Sequence, residues 1–126
     1  MAEDQVRILY VDDEESLALL GEELLGDLGY QVSSVLSGTQ ALELFQQNPQ
    51  AFDLLITDES MPGITGIELA QKVHKLNPQL PVVLCSGHLL TMNEAGMEHA
   101  NIRAVLLKTQ VCNKLPDIIE KLLAES

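Results

Sequence analysis

Apolar and polar residues along the chain form a repeating order of short apolar runs and longer amphipathic segments. The short runs are rich in Val, Ile and Leu, and they predict strands at residues 6–11, 31–35, 52–57, 81–85 and 104–107. Apolar residues at helical spacing predict helices at residues 14–28, 37–47, 66–77, 89–101 and 113–124. Strands that alternate with helices in this way predict an α/β domain, in which five helices cover both faces of a five-stranded parallel sheet.

Local signals indicate the ends and faces of the helices. Ser37 and Gln40 have the spacing of a capping box at the start of the second helix. Pro116 is compatible with the last helix because it falls in the predicted first turn. The segment 89–101 predicts only a short, marginal helix, since Gly96 interrupts it and few apolar residues support it. The first helix has four leucines at helical spacing: Leu17, Leu20, Leu24 and Leu28.

Polar residues follow the strands at the points where the strands end. The first, third and fourth strands are continuous apolar runs, which predicts that they occupy the centre of the sheet. Ligands of open parallel sheets bind beyond the carboxyl ends of the strands. We therefore expect a site at that edge, formed by the polar residues at the strand ends: Asp12, Asp13, Asp58, Ser86 and Lys108.

Asp58 is the residue that a buried core does not explain, because a charge at the end of a buried strand must be paired or bind a cation. Asp13 and Asp58 can ligate Mg²⁺ through oxygen, with Asp12 acting directly or through water. With the metal bound, Asp58 would stay ionised and could attack phosphorus as a nucleophile, which would give an aspartyl phosphate.

Three further residues complete the predicted phosphoryl site. Lys108 would pair with one phosphoryl oxygen as a point charge, and the Ser86 hydroxyl would donate to another. Gly87 would let the backbone approach closely. Positioning and charge neutralisation provide most of the catalysis in phosphoryl transfer, and these groups supply both.

Composition narrows the classes of function. A net charge of −12 with seven scattered basic residues argues against nucleic-acid binding through this surface, since phosphate contacts need a basic patch. No apolar stretch approaches membrane-spanning length, and the first four residues include two acids where a signal peptide would be basic. Cys85 and Cys112 show neither metal-site nor disulfide spacing. We expect a cytoplasmic protein whose 126 residues form one domain.

The chain resembles the receiver domains of two-component response regulators over nearly its whole length. The resemblance rests on residues 11–14 (VDDE), 58–66 (DESMPGITG), 86–87 (SG) and Lys108. It implies a doubly wound, flavodoxin-like three-layer sandwich of strand order 2-1-3-4-5, and a single receiver domain over residues 1–126. The stretches 57–62 and 84–88 look like receivers at the C-termini of hybrid sensor histidine kinases, so we expect part of such a kinase or a stand-alone regulator.

The resemblance also implies partners and a metal. Asp58 would accept a phosphoryl group from a histidine kinase or a histidine phosphotransfer domain. Asp12 and Asp13 would hold Mg²⁺ together with Asp58, helped by the backbone carbonyl of Ser60. A weak homodimer is a further interaction that we consider.

Ser86 and Lys108 would contact the phosphoryl group and signal its presence, but two neighbouring residues depart from the family pattern. Receivers usually carry Pro after the Lys, joined by a cis peptide, whereas Thr109 here permits a trans bond and a different loop path. Val105 stands where many receivers have a switching Tyr or Phe. We therefore expect intact phosphorylation and an altered relay. His88 and Ser60 are expected to border the site and to influence how fast water attacks the phosphoryl group.

Two other functions compete with this interpretation. A pseudo-receiver, which binds proteins without taking phosphate, would agree with Val105 and Thr109 but leaves the intact strand-end residues unexplained. A Mg²⁺-dependent phosphohydrolase would need a second acid two residues past the nucleophile, where this chain has Ser60. A dinucleotide-binding domain fails because no Gly-rich loop follows the first strand.

Overall fold

Five parallel strands form one sheet in the computed structural model, which describes residues 5–87 and 100–125. The strands are β1 (Arg7–Val11), β2 (Gln31–Val35), β3 (Leu54–Asp58), β4 (Val82–Ser86) and β5 (Ile102–Leu107). Their spatial order is β2-β1-β3-β4-β5, which confirms the predicted doubly wound, flavodoxin-like topology. β3 and β4 are buried at every position, whereas β2 and β5 carry exposed residues at the two edges.

The helices in the described residues cover both faces of this sheet. They are α1 (Glu15–Asp27), α2 (Gly38–Gln47), α3 (Gly66–Leu76) and α4 (Val111–Glu125), with a 3-10 helix at Lys108–Gln110. Four of the five predicted helices are thereby confirmed, and the fifth, at 89–101, lies almost entirely outside the described residues. No helix in the described ranges is long and apolar enough to cross a membrane.

Two hydrophobic cores lie on opposite sides of the sheet, because successive strand residues point to opposite faces. Leu9 of β1 belongs to the core under α2 and α3, which contribute residues such as Phe45. Ile8 and Tyr10 belong to the core under α1 and α4, together with Leu25. Among the described residues, one pair of helices therefore covers each face of the sheet.

The buried face of α1 differs from its leucine stripe. Ala18, Gly21 and Leu25 are buried, while Leu20 and Leu28 are 46% and 51% exposed. The reason is steric: a Cβ at position 21 would lie 2.5 Å from Cζ of Tyr10, so the helix packs onto β1 through its smallest residues. Leucines at helical spacing along α1 therefore do not all lie on its buried face.

The last helix begins earlier than its amphipathic pattern indicates. The 3-10 helix after β5 runs directly into α4 at Val111, two residues before the predicted start. Pro116 therefore lies inside the helix instead of in its first turn, and its ring lacks the N–H that would bond the carbonyl of Cys112. The predicted position of Pro116 is corrected accordingly.

Candidate phosphoryl-acceptor site

The carboxyl edge of the sheet brings the predicted polar residues to one place. Asp58 is the last residue of β3 and Ser86 the last of β4, and both side chains are buried. Asp12 follows β1 directly, and its N–H donates to the Val35 carbonyl of β2 at 3.2 Å. Lys108 follows β5, whose last residue pairs in register with Ser86. The side chains converge because parallel strands end at the same edge.

Three carboxylates form an acidic cluster at this edge. Asp12, Asp13 and Asp58 each offer an oxygen, and the three atoms lie within 4.8 Å of one another. Asp12 and Asp58 are buried, whereas Asp13 is exposed. Burial raises the pKa of Asp12, and the charges of Asp58 and Asp13 raise it further; a hydrogen bond from the Glu14 N–H and the Lys108 ammonium oppose the shift. The cluster therefore concentrates negative charge at the carboxyl edge of the sheet, with two of its three carboxylates buried.

Lys108 is the cation of the cluster among the described residues. Its Nζ lies 3.0 Å from Oδ2 of Asp58 and 4.0 Å from Oδ2 of Asp12 and Oε1 of Glu14. Partial burial opposes the charged ammonium, but the carboxylates outweigh it, and the pKa of Lys108 is raised. The ammonium therefore stays protonated and is aimed at Asp58 more closely than at its other partners.

The oxygens of Asp58 meet the requirements of a hard-cation site. Neither oxygen accepts a hydrogen bond of standard geometry from the described residues, and Oδ1 also lies outside the ion pair with Lys108. A buried carboxylate with an unpartnered oxygen is costly, and coordination of a cation removes that cost. Carboxylate oxygens are the ligands that Mg²⁺ prefers. The acidic cluster of Asp12, Asp13 and Asp58 therefore fits Mg²⁺.

Glu59, the residue after Asp58, is hydrogen-bonded both to β4 and to α3. The Glu59 N–H donates to the Cys85 carbonyl at 2.8 Å, and the Glu59 carboxylate accepts from the Ile67 N–H at 2.8 Å. A Cβ at Gly66 would overlap the Asp58 carbonyl oxygen and lie 2.9 Å from Cα of Glu59. The sequence placed Gly66 at the start of a helix and both Glu59 and Gly66 in the 58–66 motif, but it indicated no contact for either residue. Glu59 and Ile67 are eight positions apart, and no local motif would have revealed their contact.

The chain matches the response regulator receiver domain over residues 8–120. It belongs to that family. It is 34% identical to the transcriptional regulatory protein ZraR of Escherichia coli over its full length, and 33% identical to the sensor histidine kinase RcsC of Salmonella typhimurium over 82% of its length. It spans 28% of ZraR and 11% of RcsC, so these relatives are much longer proteins.

Solved structures agree with this assignment. The receiver domain resembles a CheY-like receiver from Methanospirillum hungatei with a TM-score of 0.87 and 27% identity, covering 97% of this chain and 96% of that one. It resembles TrrA of Thermotoga maritima, solved in complex with Mg²⁺ and BeF, with a TM-score of 0.82 and 29% identity over 94% and 99% of the two chains. The protein is therefore a receiver domain of two-component signal transduction, as the sequence motifs indicated. Receivers of this family pair with histidine kinases or phosphotransfer proteins and bind Mg²⁺ in an acidic pocket.

The remaining predicted site residues lie around the cluster in different ways. Ser60 is exposed in the loop after β3, two residues past Asp58. Gly87 is exposed, and a Cβ there would meet nothing within 4 Å, so packing inside the receiver domain does not require glycine at this position. His88 lies outside the described residues. The metal and phosphoryl roles of these residues stay predictions.

The two departures from the family pattern lie on and after β5. Val105 is half-buried and packs against the core under α2 and α3. Thr109 is exposed in the 3-10 helix, and the described residues contain no cis peptide bond. The predicted trans bond after Lys108 is therefore confirmed.

The acidic cluster is not the largest depression on the receiver domain. An open groove of about 450 Å³ lies at the opposite, amino-terminal edge of the sheet, where the Arg7 side chain already contacts Asp53 and the Gln50 carbonyl. A smaller cavity of about 50 Å³ lies between α1 and α4 and shares Asp12 and Lys108 with the cluster. Chemistry and not volume therefore identifies the site.

The two cysteines border this smaller cavity but differ in exposure, and this predicts selective labelling. Burial raises the pKa of the Cys85 thiol to about 12, and the nearby Asp58 and Asp12 charges add to the shift; Cys112 is exposed. The thiolate is the reactive form. We expect iodoacetamide to add one group to the native receiver domain and two after unfolding in urea, as measured by intact mass. A Cys112→Ser variant should stay unlabelled when folded; labelling of that variant would contradict the burial of Cys85.

Proposed function

We propose that this receiver domain accepts a phosphoryl group on Asp58 from a phosphohistidine donor. The observation that carries the proposal is a buried carboxylate with an ammonium 3.0 Å from one oxygen and no hydrogen-bond partner for the other among the described residues. An Asp58 oxygen would form a bond to phosphorus while the bond from phosphorus to the donor imidazole nitrogen breaks. The imidazole leaves with the electron pair of that bond.

The surrounding residues would bind the transferring group. The Lys108 ammonium would neutralise charge on one phosphoryl oxygen, and the Ser86 hydroxyl would donate a hydrogen bond to another. Gly87, which carries no side chain, would let the backbone approach the phosphoryl group closely. These contacts orient the phosphoryl group and hold it after transfer.

The acidic cluster would hold the metal. Asp12, Asp13 and Asp58 would bind Mg²⁺ through their carboxylates, with the backbone carbonyl of Ser60 as a further ligand. When bound, Mg²⁺ supplies positive charge that offsets the negative charge of the carboxylates and of the phosphoryl group. Part of the net charge of −12 would then attract the metal.

Phosphorylation by a small phosphodonor tests the acceptor role of Asp58. We expect acetyl phosphate with Mg²⁺ to add one phosphoryl group, detected by intact mass, and we expect EDTA to prevent the addition. Asp58→Asn should remove the addition completely because the amide is not a nucleophile for phosphorus.

The matched control is Asp53→Asn, which changes the charge equally at the opposite edge of the sheet and should leave the phosphorylation intact. A wild-type protein that neither acetyl phosphate nor any histidine kinase modifies would favour the pseudo-receiver instead. Rapid turnover of varied phosphomonoesters would favour the phosphohydrolase. Equal loss in both Asp variants would remove the special role of Asp58.

The cellular context extends the proposal. The donor would be a histidine kinase or a histidine phosphotransfer domain in the cytoplasm, and the domain would belong to a hybrid sensor kinase or act as a stand-alone regulator. Support comes from relatives of both kinds, a transcriptional regulator and a sensor histidine kinase. The acidic surface disfavours nucleic acid as a direct partner. A weak homodimer would have to form where basic residues of one copy face acidic residues of the other, because two acidic surfaces repel.

The response to phosphorylation would differ from that of most receivers. Val105 has no aromatic ring to move inward behind Ser86, and Thr109 replaces the usual proline. Ser60 and His88 would influence the lifetime of the phosphoryl group, being two residues past Asp58 and Ser86. We therefore propose an intact acceptor with an altered relay to β5 and α4.

A further inference from the structure

The turn that carries Lys108 is closed by a side chain. The Leu107 N–H, at the end of β5, donates to Oε1 of Gln110 at 3.0 Å. The Val111 N–H donates to the Lys108 carbonyl, which holds the turn from its other side. A full capping box has two hydrogen bonds: the side chain of the capping residue accepts from the third residue of the helix, and the side chain of that third residue accepts from the N–H of the capping residue. Only the second bond is possible here, because the leucine side chain has no acceptor.

This closure matters because Lys108 acts through a long and flexible side chain. Its four-carbon stem has many rotamers, and the direction of its Cα–Cβ bond limits where the ammonium can reach. That direction is set by the backbone between Leu107 and Val111. The ring closed by Gln110 spans this backbone and includes Lys108 itself. Thr109 is exposed and no described contact of its side chain holds the turn.

We propose that Gln110 is a positioning residue for phosphoryl binding, because its side-chain carbonyl fixes the turn that aims Lys108 at Asp58. The inference rests on the proposed function of Asp58 and Lys108. Gln110 touches neither the acidic cluster nor the phosphoryl group. It acts by limiting the conformations of the turn, so that less entropy is lost when the ammonium binds the phosphoryl group.

The chain contains a matched control for this contact. At the start of α2, the Leu36 N–H donates to Oε1 of Gln40, also at 3.0 Å. The kinds of donor and acceptor and the distance are the same as at Gln110, but no described contact joins Gln40 to Lys108. The peptide group that Gln40 binds instead adjoins Asp12, whose N–H donates to the Val35 carbonyl. Replacing each glutamine by methionine keeps the length of the side chain and removes its strong acceptor.

The test compares the binding of Mg²⁺ alone with the binding of beryllofluoride in the presence of Mg²⁺, both by titration calorimetry. In Gln110→Met we expect no loss of affinity for Mg²⁺ and about fivefold weaker affinity for beryllofluoride, because Lys108 helps to bind the phosphoryl analogue and does not ligate the metal. Gln110→Glu keeps the acceptor and should recover most of the affinity. Gln40→Met should match the wild type in its affinity for beryllofluoride while losing similar thermal stability.

Three outcomes would overturn the inference: wild-type beryllofluoride affinity in Gln110→Met, equal weakening in Gln40→Met, or a parallel loss of Mg²⁺ affinity in Gln110→Met. Failure of the wild type to bind beryllofluoride would instead remove the proposed function.

Amide hydrogen exchange on the wild type gives an independent measurement if Gln110→Met does not fold. If the hydrogen bond from the Leu107 N–H to Gln110 favours beryllofluoride binding, then beryllofluoride must favour that hydrogen bond to the same extent. Beryllofluoride should therefore slow the exchange of the Leu107 amide. Equal exchange with and without beryllofluoride would contradict the link.

Discussion

Lys108→Met should destabilise the receiver domain by about 2 kcal/mol in the absence of Mg²⁺, since it leaves buried carboxylates without their cation. The figure is smaller than for a fully buried ion pair because the Lys108 side chain is 26% exposed. Addition of Mg²⁺ should restore most of the loss, and the variant should bind Mg²⁺ about tenfold more tightly because no ammonium repels the metal. Urea unfolding with and without Mg²⁺ measures both effects.

The pH dependence of this deficit has a definite sign. Burial raises the pKa of Asp12, and the Lys108 ammonium opposes that shift. Without the ammonium the pKa of Asp12 rises further, so the folded variant holds a proton more strongly than the unfolded chain. The deficit should therefore shrink as the pH falls and grow as the pH rises. Lys114→Met is the control, because it removes one exposed ammonium on α4. An equal loss of stability in the two variants, or an unchanged Mg²⁺ affinity in Lys108→Met, would contradict the ion-pair geometry.

Gly66→Ala should destabilise the receiver domain by about 3 kcal/mol, because the new methyl group overlaps backbone atoms that cannot move cheaply. Its Cβ would meet the Asp58 carbonyl oxygen and, at 2.8 Å, a methyl carbon of Leu84. Relief of this overlap would separate α3 from the end of β3, so we also expect weaker Mg²⁺ binding. Chemical unfolding and a Mg²⁺ titration check the two expectations.

Gly26→Ala provides the matched control with the opposite sign. Gly26 lies in α1, and a Cβ there would meet nothing within 4 Å. Alanine in an open helical position stabilises by about 0.5–1 kcal/mol relative to glycine. Equal effects of the two alanines would show that helix propensity, and not the contact with Asp58, governs position 66.

The sheet and the placement of the acids followed from the sequence because both depend on simple one-dimensional patterns. Continuous apolar runs marked β3 and β4 as central, and polar residues directly after such runs had to meet at one edge. The positions of Asp12, Asp58 and Ser86 at that edge were therefore predictable from the strand ends alone. The resemblance to receiver domains rests in part on the same residues.

Features that depend on contacts between distant residues could not be predicted in this way. The hydrogen bond between Glu59 and Ile67 joins the residue after β3 to the start of α3 across an irregular loop. The side chain of Gln110 closes its turn only because β5 continues into a 3-10 helix, which the apolar pattern of α4 does not reveal. Pro116 was placed in a first turn for the same reason. In each case the missing information is three-dimensional.

Gly21 and Tyr10 illustrate how one contact selects among competing packings of the same helix. α1 has leucines on the side that faces solvent as well as on the side that faces the sheet, so hydrophobicity alone does not decide its rotation. The missing side chain at position 21 admits the Tyr10 ring, and only one rotation of α1 allows this fit. A larger residue there would weaken the native arrangement and leave the leucine-rich side as an alternative core. Gly21 thus contributes to the energy gap between the native fold and a misdocked helix.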